Sequence, residues 1–211
     1  MQHLPLSTIQ TWERFYRANF INCLSGFKSA VLIGTVKENN QPNLGLFSNV
    51  VHLGADPAMI GFVNRPREAA PHTIANIERT GFYTMNLISE QYIAQAHKSS
   101  AKFDADTDEF EAAGFTKQWQ TGIDVPFVAE SPLKFAMQLQ EIIPIKQNGT
   151  FFITGSVTDV FIDEALAGND GFIHLQKAGI IGTLGIDGYY TTQLHSRYAY
   201  AKPDKRPVQI V

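Results

Sequence analysis

Cysteine and long apolar runs are almost absent from this sequence. Cys23 is the only cysteine in 211 residues, which excludes an internal disulfide and a multi-cysteine zinc site and fits a reducing compartment. No apolar stretch approaches the roughly 20 residues that cross a bilayer. The first 20 residues also lack the basic start, apolar run and cleavage site of a secretory signal. We therefore expect a cytoplasmic protein with no membrane partner.

Excess positive charge is also missing. The chain has 17 basic and 20 acidic residues and a net charge of −3, so no summed positive field attracts nucleic acid, and we expect no such partner. Hydrophobic residues, in contrast, make up 44% of the chain, which is enough for one substantial core. We expect a single domain over residues 1–211.

A helical pattern opens the chain and predicts an amphipathic helix over 7–22. Ser7 and Gln10 have the spacing of a capping box. Apolar residues recur at helical intervals at Ile9, Trp12, Tyr16 and Phe20. This stripe must pack on another part of the molecule.

Three strand-like segments follow, with no helix between them. The β-branched run 30–36, the segment 44–53 and the segment 59–63 are separated only by short polar or proline turns. Parallel neighbours need long crossovers, which these turns cannot supply. The order therefore favours an antiparallel meander or barrel.

The middle of the chain mixes helix and strand signals. A short helix is predicted over 71–79, with Gly81 as its stop signal, and a strand over 82–88. We interpret residues 89–125 as an inserted loop and helix region with a solvated acidic face. That acidic cluster consists of Asp104, Asp106, Asp108, Glu109 and Glu111.

The last third predicts a long hairpin and a glycine-rich end. Alternating apolar residues from Leu133 to Leu139 form one strand, and the turn at Asn148 and Gly149 returns the chain through a second strand to Ile162. Four glycines beyond it are spaced by three residues, which does not match a dinucleotide-binding fingerprint, and we interpret them as turns between short strands. These glycines are Gly179, Gly182, Gly185 and Gly188.

One region combines groups that suit an anionic ligand. Arg65 and Arg67 follow the third strand, and His72 and Thr73 lie at a predicted helix start, where unpaired amides and the helix dipole favour a phosphate. The structural alternative is that Thr73 only caps the helix and the two arginines are surface charges beside a proline turn.

Several segments together resemble the flavin reductase-like, FMN-binding split-barrel family. The likeness covers roughly residues 20–165 and lies in the order and spacing of the segments. They are 30–35, 43–48, 73–77, 80–82, Asn86, Ser99, 108–115 and Pro126. The resemblance implies a mainly β (α+β) fold, an antiparallel split β-barrel with a few peripheral helices, and a homodimer with FMN at its interface.

The resemblance also implies which residues bind the cofactor. The phosphate would lie near Arg65, Arg67, His72 and Thr73, and the ring edge near Phe47, Ser48, Asn49 and Val50. The resemblance also implies that Asn86 is a cofactor-binding residue. The segment with Lys98 and Ser99 would close over the flavin. The chain departs from the family at Leu46, where a proline is common, and at 71–73, where Lys-Asp-Thr is common.

The function implied is transfer of electrons from NAD(P)H through bound flavin to an acceptor. Such transfer depends on positioning two rings and needs no acid–base dyad. We accordingly find no catalytic residue set and expect no metal site. Two alternatives stay open: a flavoredoxin-like carrier reduced by a redox protein partner, and a non-catalytic module that binds haem or pyridoxal phosphate.

Overall fold

The computed structural model describes residues 1–38, 40–104 and 106–211. Asn39, in the predicted turn after the first strand, and Ala105, in the predicted inserted region, lie outside the described residues. The α-helices of the described part are α1 (Leu6–Gln10), α2 (Arg14–Cys23), α3 (Pro71–Thr80), α4 (Ile93–Lys98) and α5 (Glu109–Ala113). Short 3-10 helices span Glu90–Tyr92, Glu164–Leu166 and Leu175–Ala178.

Antiparallel strands form most of the structure. In chain order they are β1 (Lys28–Ser29), β2 (Val31–Val36), β3 (Pro42–Phe47), β4 (Val50–Ala55), β5 (Ala58–Asn64), β6 (Phe82–Leu87), β7 (Lys117–Gln120), β8 (Ile123–Val128), β9 (Leu133–Ile145), β10 (Thr150–Ile162), β11 (Ile181–Leu184) and β12 (Gly188–Thr191). Seven of them form one sheet in the order β3-β2-β6-β9-β10-β5-β4. Smaller sheets are β1-β11-β12 and β7-β8.

The large sheet is a split barrel. Its two edge strands, β3 and β4, are consecutive in the chain and are joined only by Ser48 and Asn49, which we call the seam. Three Cα–Cα steps from Phe47 to Val50 span at most about 11 Å, so the sheet must curl until its edges come close. The predicted mainly β, antiparallel split-barrel class is confirmed.

Two apolar layers hold the barrel together. The interior contains Phe62, Tyr83 and Met137 from the sheet and Ile74 and Ile77 from α3, all fully buried. The second layer lies on the other face of β2 and β3 and includes Leu32, Leu44, Phe110 and Ile181. Because both faces are covered, β2 is buried at every position.

Two predicted elements, the helix over 7–22 and the strand over 44–53, are each interrupted in the structure. Instead of one helix over 7–22, the chain forms α1 and α2, and α1 begins after Pro5 with no side-chain cap from Ser7. The Glu13 carboxylate accepts hydrogen bonds from the amides of Phe15 (2.8 Å) and Tyr16 (3.0 Å), which starts a new helix. The strand predicted over 44–53 is likewise interrupted by the seam.

Residues 89–125 contain more regular structure than a loop and a helix. They include a 3-10 turn, α4, α5, β7 and the start of β8. The nearly buried Lys134 on β9 connects this region to the barrel, since its ammonium donates to Gln118 Oε1 on β7 (2.5 Å). It also donates to the carbonyls of Val128 (3.0 Å) and Ala129 (3.1 Å), which follow directly after the region. None of the helices described is long and apolar enough to cross a membrane.

Candidate functional site

An open cleft of about 450 Å³ lies beside the seam. This volume falls in the range of about 300–1,000 Å³ typical of small-molecule sites. Its walls come from β3, the end of β5, the first turn of α3, the loop after α4 and the start of α5. The predicted site residues that line it are Phe47, Ser48, Asn49, Arg65, His72, Thr73 and Ser99.

One end of the cleft suits an anion. Helix α3 begins after Ala70, which supplies no side-chain cap, and Pro71 has no amide hydrogen. The amides of His72 and Thr73 have no acceptor within residues 1–38, 40–104 and 106–211. Arg65 is exposed at the same place, and its guanidinium contacts no described acceptor. Free amides, the helix dipole and a cation together favour a phosphate.

Asn64 holds the loop that brings these groups together, and sequence reasoning missed it. This fully buried residue at the end of β5 donates from Nδ2 to the carbonyls of Arg65 (2.7 Å) and Ala70 (3.2 Å). The two bonds fix both ends of residues 65–70. Nothing in the local sequence distinguishes this asparagine from a turn residue.

Another part of the cleft wall offers an apolar edge. Phe47 packs edge-to-face on the buried Phe62, with ring centroids 5.1 Å apart, so its position is fixed. A Cβ atom at Gly45 would lie 3.1 Å from the Phe47 ring and 3.4 Å from Thr73 Oγ1, so glycine leaves the space between them open. The side chains of Ser48 and Asn49 make no hydrogen bond with the described residues and are available to a ligand.

The bottom of the cleft is polar and nearly buried. We call Asn43, Gly45, Thr73 and Glu109 the cleft floor. The Glu109 carboxylate accepts a hydrogen bond from Leu44 N at 2.8 Å, and burial raises its pKa above the usual carboxyl value, against the opposing effect of that hydrogen bond. Sequence reasoning missed Asn43, Gly45 and Glu109 as site residues.

The solvated-face interpretation of the acidic cluster is therefore wrong for Glu109, which is 8% exposed. Helix α5 packs against β3, and this contact between distant segments turns one acid inward. Asp108 instead caps α5 by accepting from Phe110 N (3.1 Å) and forms an ion pair with Lys117 (2.6 Å). Glu111 is exposed and contacts the same lysine.

Four predicted site residues do not line the cleft. Arg67 forms an ion pair with Glu78, with Nη1 2.8 Å from Oε2, and its guanidinium lies 4.9 Å from the Phe151 ring centre. Val50 packs against the barrel interior, and Lys98 is exposed at the end of α4.

Asn86 is the fourth, and both the nitrogen and the oxygen of its side-chain amide form hydrogen bonds within the fold. Its Nδ2 donates to Leu32 O (3.1 Å) and Thr84 Oγ1 (3.0 Å), while its Oδ1 accepts from Val128 N (2.9 Å). It therefore joins β8 to the barrel wall. In the part of the chain that the structure describes, no three His, Cys, Asp or Glu side chains form a group able to hold a metal ion.

The fold is a split barrel, and its cleft has free amides and a cation in one part of its wall and an apolar edge in another. A family model described as a flavin reductase like domain matches residues 24–179. The chain belongs to the flavin reductase-like family, whose members bind flavin.

Solved structures agree with this membership. A split-barrel protein of Shewanella frigidimarina, assigned as a flavin reductase, is 42% identical, with a TM-score of 0.92 over 95% of this chain and 100% of that one. The flavoredoxin of Desulfovibrio vulgaris is 22% identical, with a TM-score of 0.70 over 85% of this chain and 92% of that one. An FMN-binding protein from Thermus thermophilus is 14% identical, with a TM-score of 0.65 over 78% of this chain and 86% of that one. The last two show likeness of fold alone.

Proposed function

We propose that this protein is an FMN-dependent oxidoreductase that takes electrons from NAD(P)H and passes them to an acceptor. The observation that carries the proposal is the cleft itself. It combines free amides and a cation, at the start of α3 and Arg65, with an apolar edge at Leu46 and Phe47. The structural neighbour from Thermus thermophilus is an FMN-binding protein, which supports the choice of flavin.

Each part of the cleft has a separate task in this proposal. The amides of His72 and Thr73 and the Arg65 guanidinium bind the phosphate and fix the depth of the ligand. Phe47 positions the ring, and the side chains of Ser48 and Asn49 hydrogen bond to its polar edge. When bound, FMN supplies the redox chemistry by accepting a hydride equivalent from the nicotinamide. The protein residues bind and orient, and none is needed as an acid or base.

The proposal includes a homodimer with the flavin site at the interface. The cleft is open on the side of Asn49 and Arg65, both exposed, so a second copy there would shield the ring from water. Light scattering should give twice the monomer mass of 23.4 kDa. A monomer that binds FMN as tightly as any larger species would contradict the shared site.

Stopped-flow mixing under anaerobic conditions tests the activity. The FMN-loaded protein should lose its visible flavin absorption when mixed with NADH or NADPH, at a rate that saturates with nucleotide. Full absorption after mixing with both nucleotides would reject NAD(P)H as the donor. A protein purified with a haem or pyridoxal phosphate spectrum would reject the flavin itself.

The likeness to a flavoredoxin supports a second candidate, an electron carrier reduced by a protein partner. This version predicts slow reduction by both pyridine nucleotides and fast reduction by a redox protein. The same stopped-flow experiment, repeated with a reduced ferredoxin-type donor, distinguishes the two.

A further inference from the structure

Glu109 is a nearly buried carboxylate with unused hydrogen-bonding capacity. Its Oε2 accepts from Leu44 N at 2.8 Å and from the Asn43 amide at 3.3 Å. The Asn43 side-chain nitrogen faces Glu109, because the side-chain oxygen then accepts from Leu44 N (3.2 Å) and Thr35 Oγ1 (3.1 Å). In the opposite orientation the Asn43 oxygen would face the Glu109 carboxylate, and its nitrogen would face the Leu44 amide. Oε1 of Glu109 has no partner among the described residues.

Thr73 is also a cleft-floor residue, and its hydroxyl has hydrogen-bonding positions that the described residues do not fill. It is 7% exposed, and in this orientation of Asn43 its hydroxyl lies 3.4 Å from the Asn43 side-chain oxygen, at the long limit of a hydrogen bond. A hydroxyl has one donor and two acceptor positions, so most of its capacity remains. Both residues line the open cleft, so their remaining hydrogen-bonding positions are available to a ligand that binds there.

The charge of Glu109 determines which part of the ligand it contacts. A phosphate at the start of α3 would be repelled by a nearby carboxylate, and an apolar ring would leave the carboxylate unsatisfied. Hydroxyl groups donate to a carboxylate and both donate to and accept from a threonine.

We propose that Glu109 and Thr73 bind the hydroxyl groups of the sugar-alcohol chain that joins the phosphate of FMN to its ring. This inference rests on the proposed function, because it assigns a role within the same site. Glu109 accepts hydrogen bonds from the chain, and Thr73 completes the floor beneath it. Gly45, where a side chain would approach Thr73, leaves the chain room to lie there.

Three flavins separate this role from a structural one. FMN has the chain and the phosphate, riboflavin has the chain alone, and lumiflavin has neither. Dissociation constants are measured by quenching of flavin fluorescence for the wild type, Glu109→Gln and the control Glu111→Gln. In Glu109→Gln the side-chain oxygen can still accept from Leu44 N, but the group that faces the ligand becomes an amide.

Glu109→Gln should bind FMN and riboflavin about tenfold more weakly, because a charge-assisted hydrogen bond is lost. Its affinity for lumiflavin should equal that of the wild type, and Glu111→Gln should match the wild type for all three. Thr73→Val, with nearly the same shape, should show the same pattern with a smaller loss. If Glu109→Gln does not fold, the Thr73→Val comparison alone decides.

Two results would overturn the inference while leaving the proposed function intact: unchanged riboflavin binding in both variants, or an equal loss for lumiflavin. A wild-type protein that binds none of the three flavins would reject the proposed function and this inference together.

Discussion

The barrel interior and the cleft floor are both buried, yet they differ in chemistry. The interior is filled by apolar side chains such as Phe62, Ile74 and Met137. The floor places an asparagine, a threonine and a glutamate under nearly equal burial, although polar groups are costly to bury without partners. Residues that only stabilise the fold favour the first pattern. The second pattern places polar groups along the open cleft, as a surface that binds a polar ligand requires.

The largest loss of stability should come from adding a methyl group at Gly155, in the barrel interior. A Cβ atom on Gly155 would overlap the Tyr83 hydroxyl and lie 3.0 Å from Gln138 O, so Gly155→Ala should destabilise the protein by about 3 kcal/mol in urea unfolding. Gly182→Ala is the control, because its nearest contact would be an ordinary 3.5 Å. Adding Tyr83→Phe to Gly155→Ala should recover part of the loss. Equal stability of the two alanine variants would show that the interior is loosely packed.

The two arginines should separate ligand binding from stability. Arg65→Ala should weaken FMN binding about tenfold without changing riboflavin binding or the melting temperature, because it removes a charged contact to the phosphate. Arg67→Ala should leave FMN affinity unchanged and cost at most about 0.5 kcal/mol, since its pair with Glu78 is about 40% exposed. A greater loss of FMN affinity in Arg67→Ala than in Arg65→Ala would reverse this assignment.

The stability of the protein should depend on pH through Glu109, the carboxylate of the cleft floor. Burial raises the folded-state pKa of Glu109 above its unfolded value, so its ionised form destabilises the fold above that raised pKa. Glu109→Gln should therefore be at least as stable as the wild type at neutral pH. The difference in free energy of unfolding between Glu109→Gln and the wild type should shrink as the pH falls from above the raised pKa of Glu109 to the usual range of carboxyl pKa values.

Glu111→Gln is the matched control for that experiment, because Glu111 lies on the same helix and is exposed. A stability gap between Glu109→Gln and the wild type that widens on acidification would contradict the account.

The smallest effect should come from Tyr83→Phe alone. The Tyr83 hydroxyl is buried and has no partner among the described residues, so its removal leaves no new unsatisfied group. We expect a change within about 0.5 kcal/mol in urea unfolding, with FMN affinity unaltered. A loss above about 2 kcal/mol would indicate a buried hydrogen bond at this hydroxyl.

The sequence predicted the parts of this molecule that depend on local pattern. Residues 30–36, 59–63 and 71–79, the Gly81 stop and the long hairpin agree with β2, β5, α3, its left-handed C-cap and the β9-β10 pair. The break before α2 also has a local signal, because Glu13 is an acidic residue placed to cap a new helix, although the apolar stripe continues across it.

The rest of the site depends on contacts between distant segments. Arg65 and Arg67 are alike in sequence, and only the position of Glu78 one helix later separates the free cation from the paired one. Glu109 is one of several neighbouring acids, and only the packing of α5 on β3 makes it a floor residue. Such assignments require the tertiary structure.

A phosphate should bind at the first turn of α3, where the amides of His72 and Thr73 are free of acceptors among the described residues. Amide chemical shifts in ¹⁵N-labelled protein test this most directly, with FMN and riboflavin added in separate titrations. FMN should move the His72 and Thr73 amides strongly and riboflavin should not, while both flavins move Phe47 and Ser48. Saturating FMN that leaves the His72 and Thr73 signals unchanged would contradict the claim.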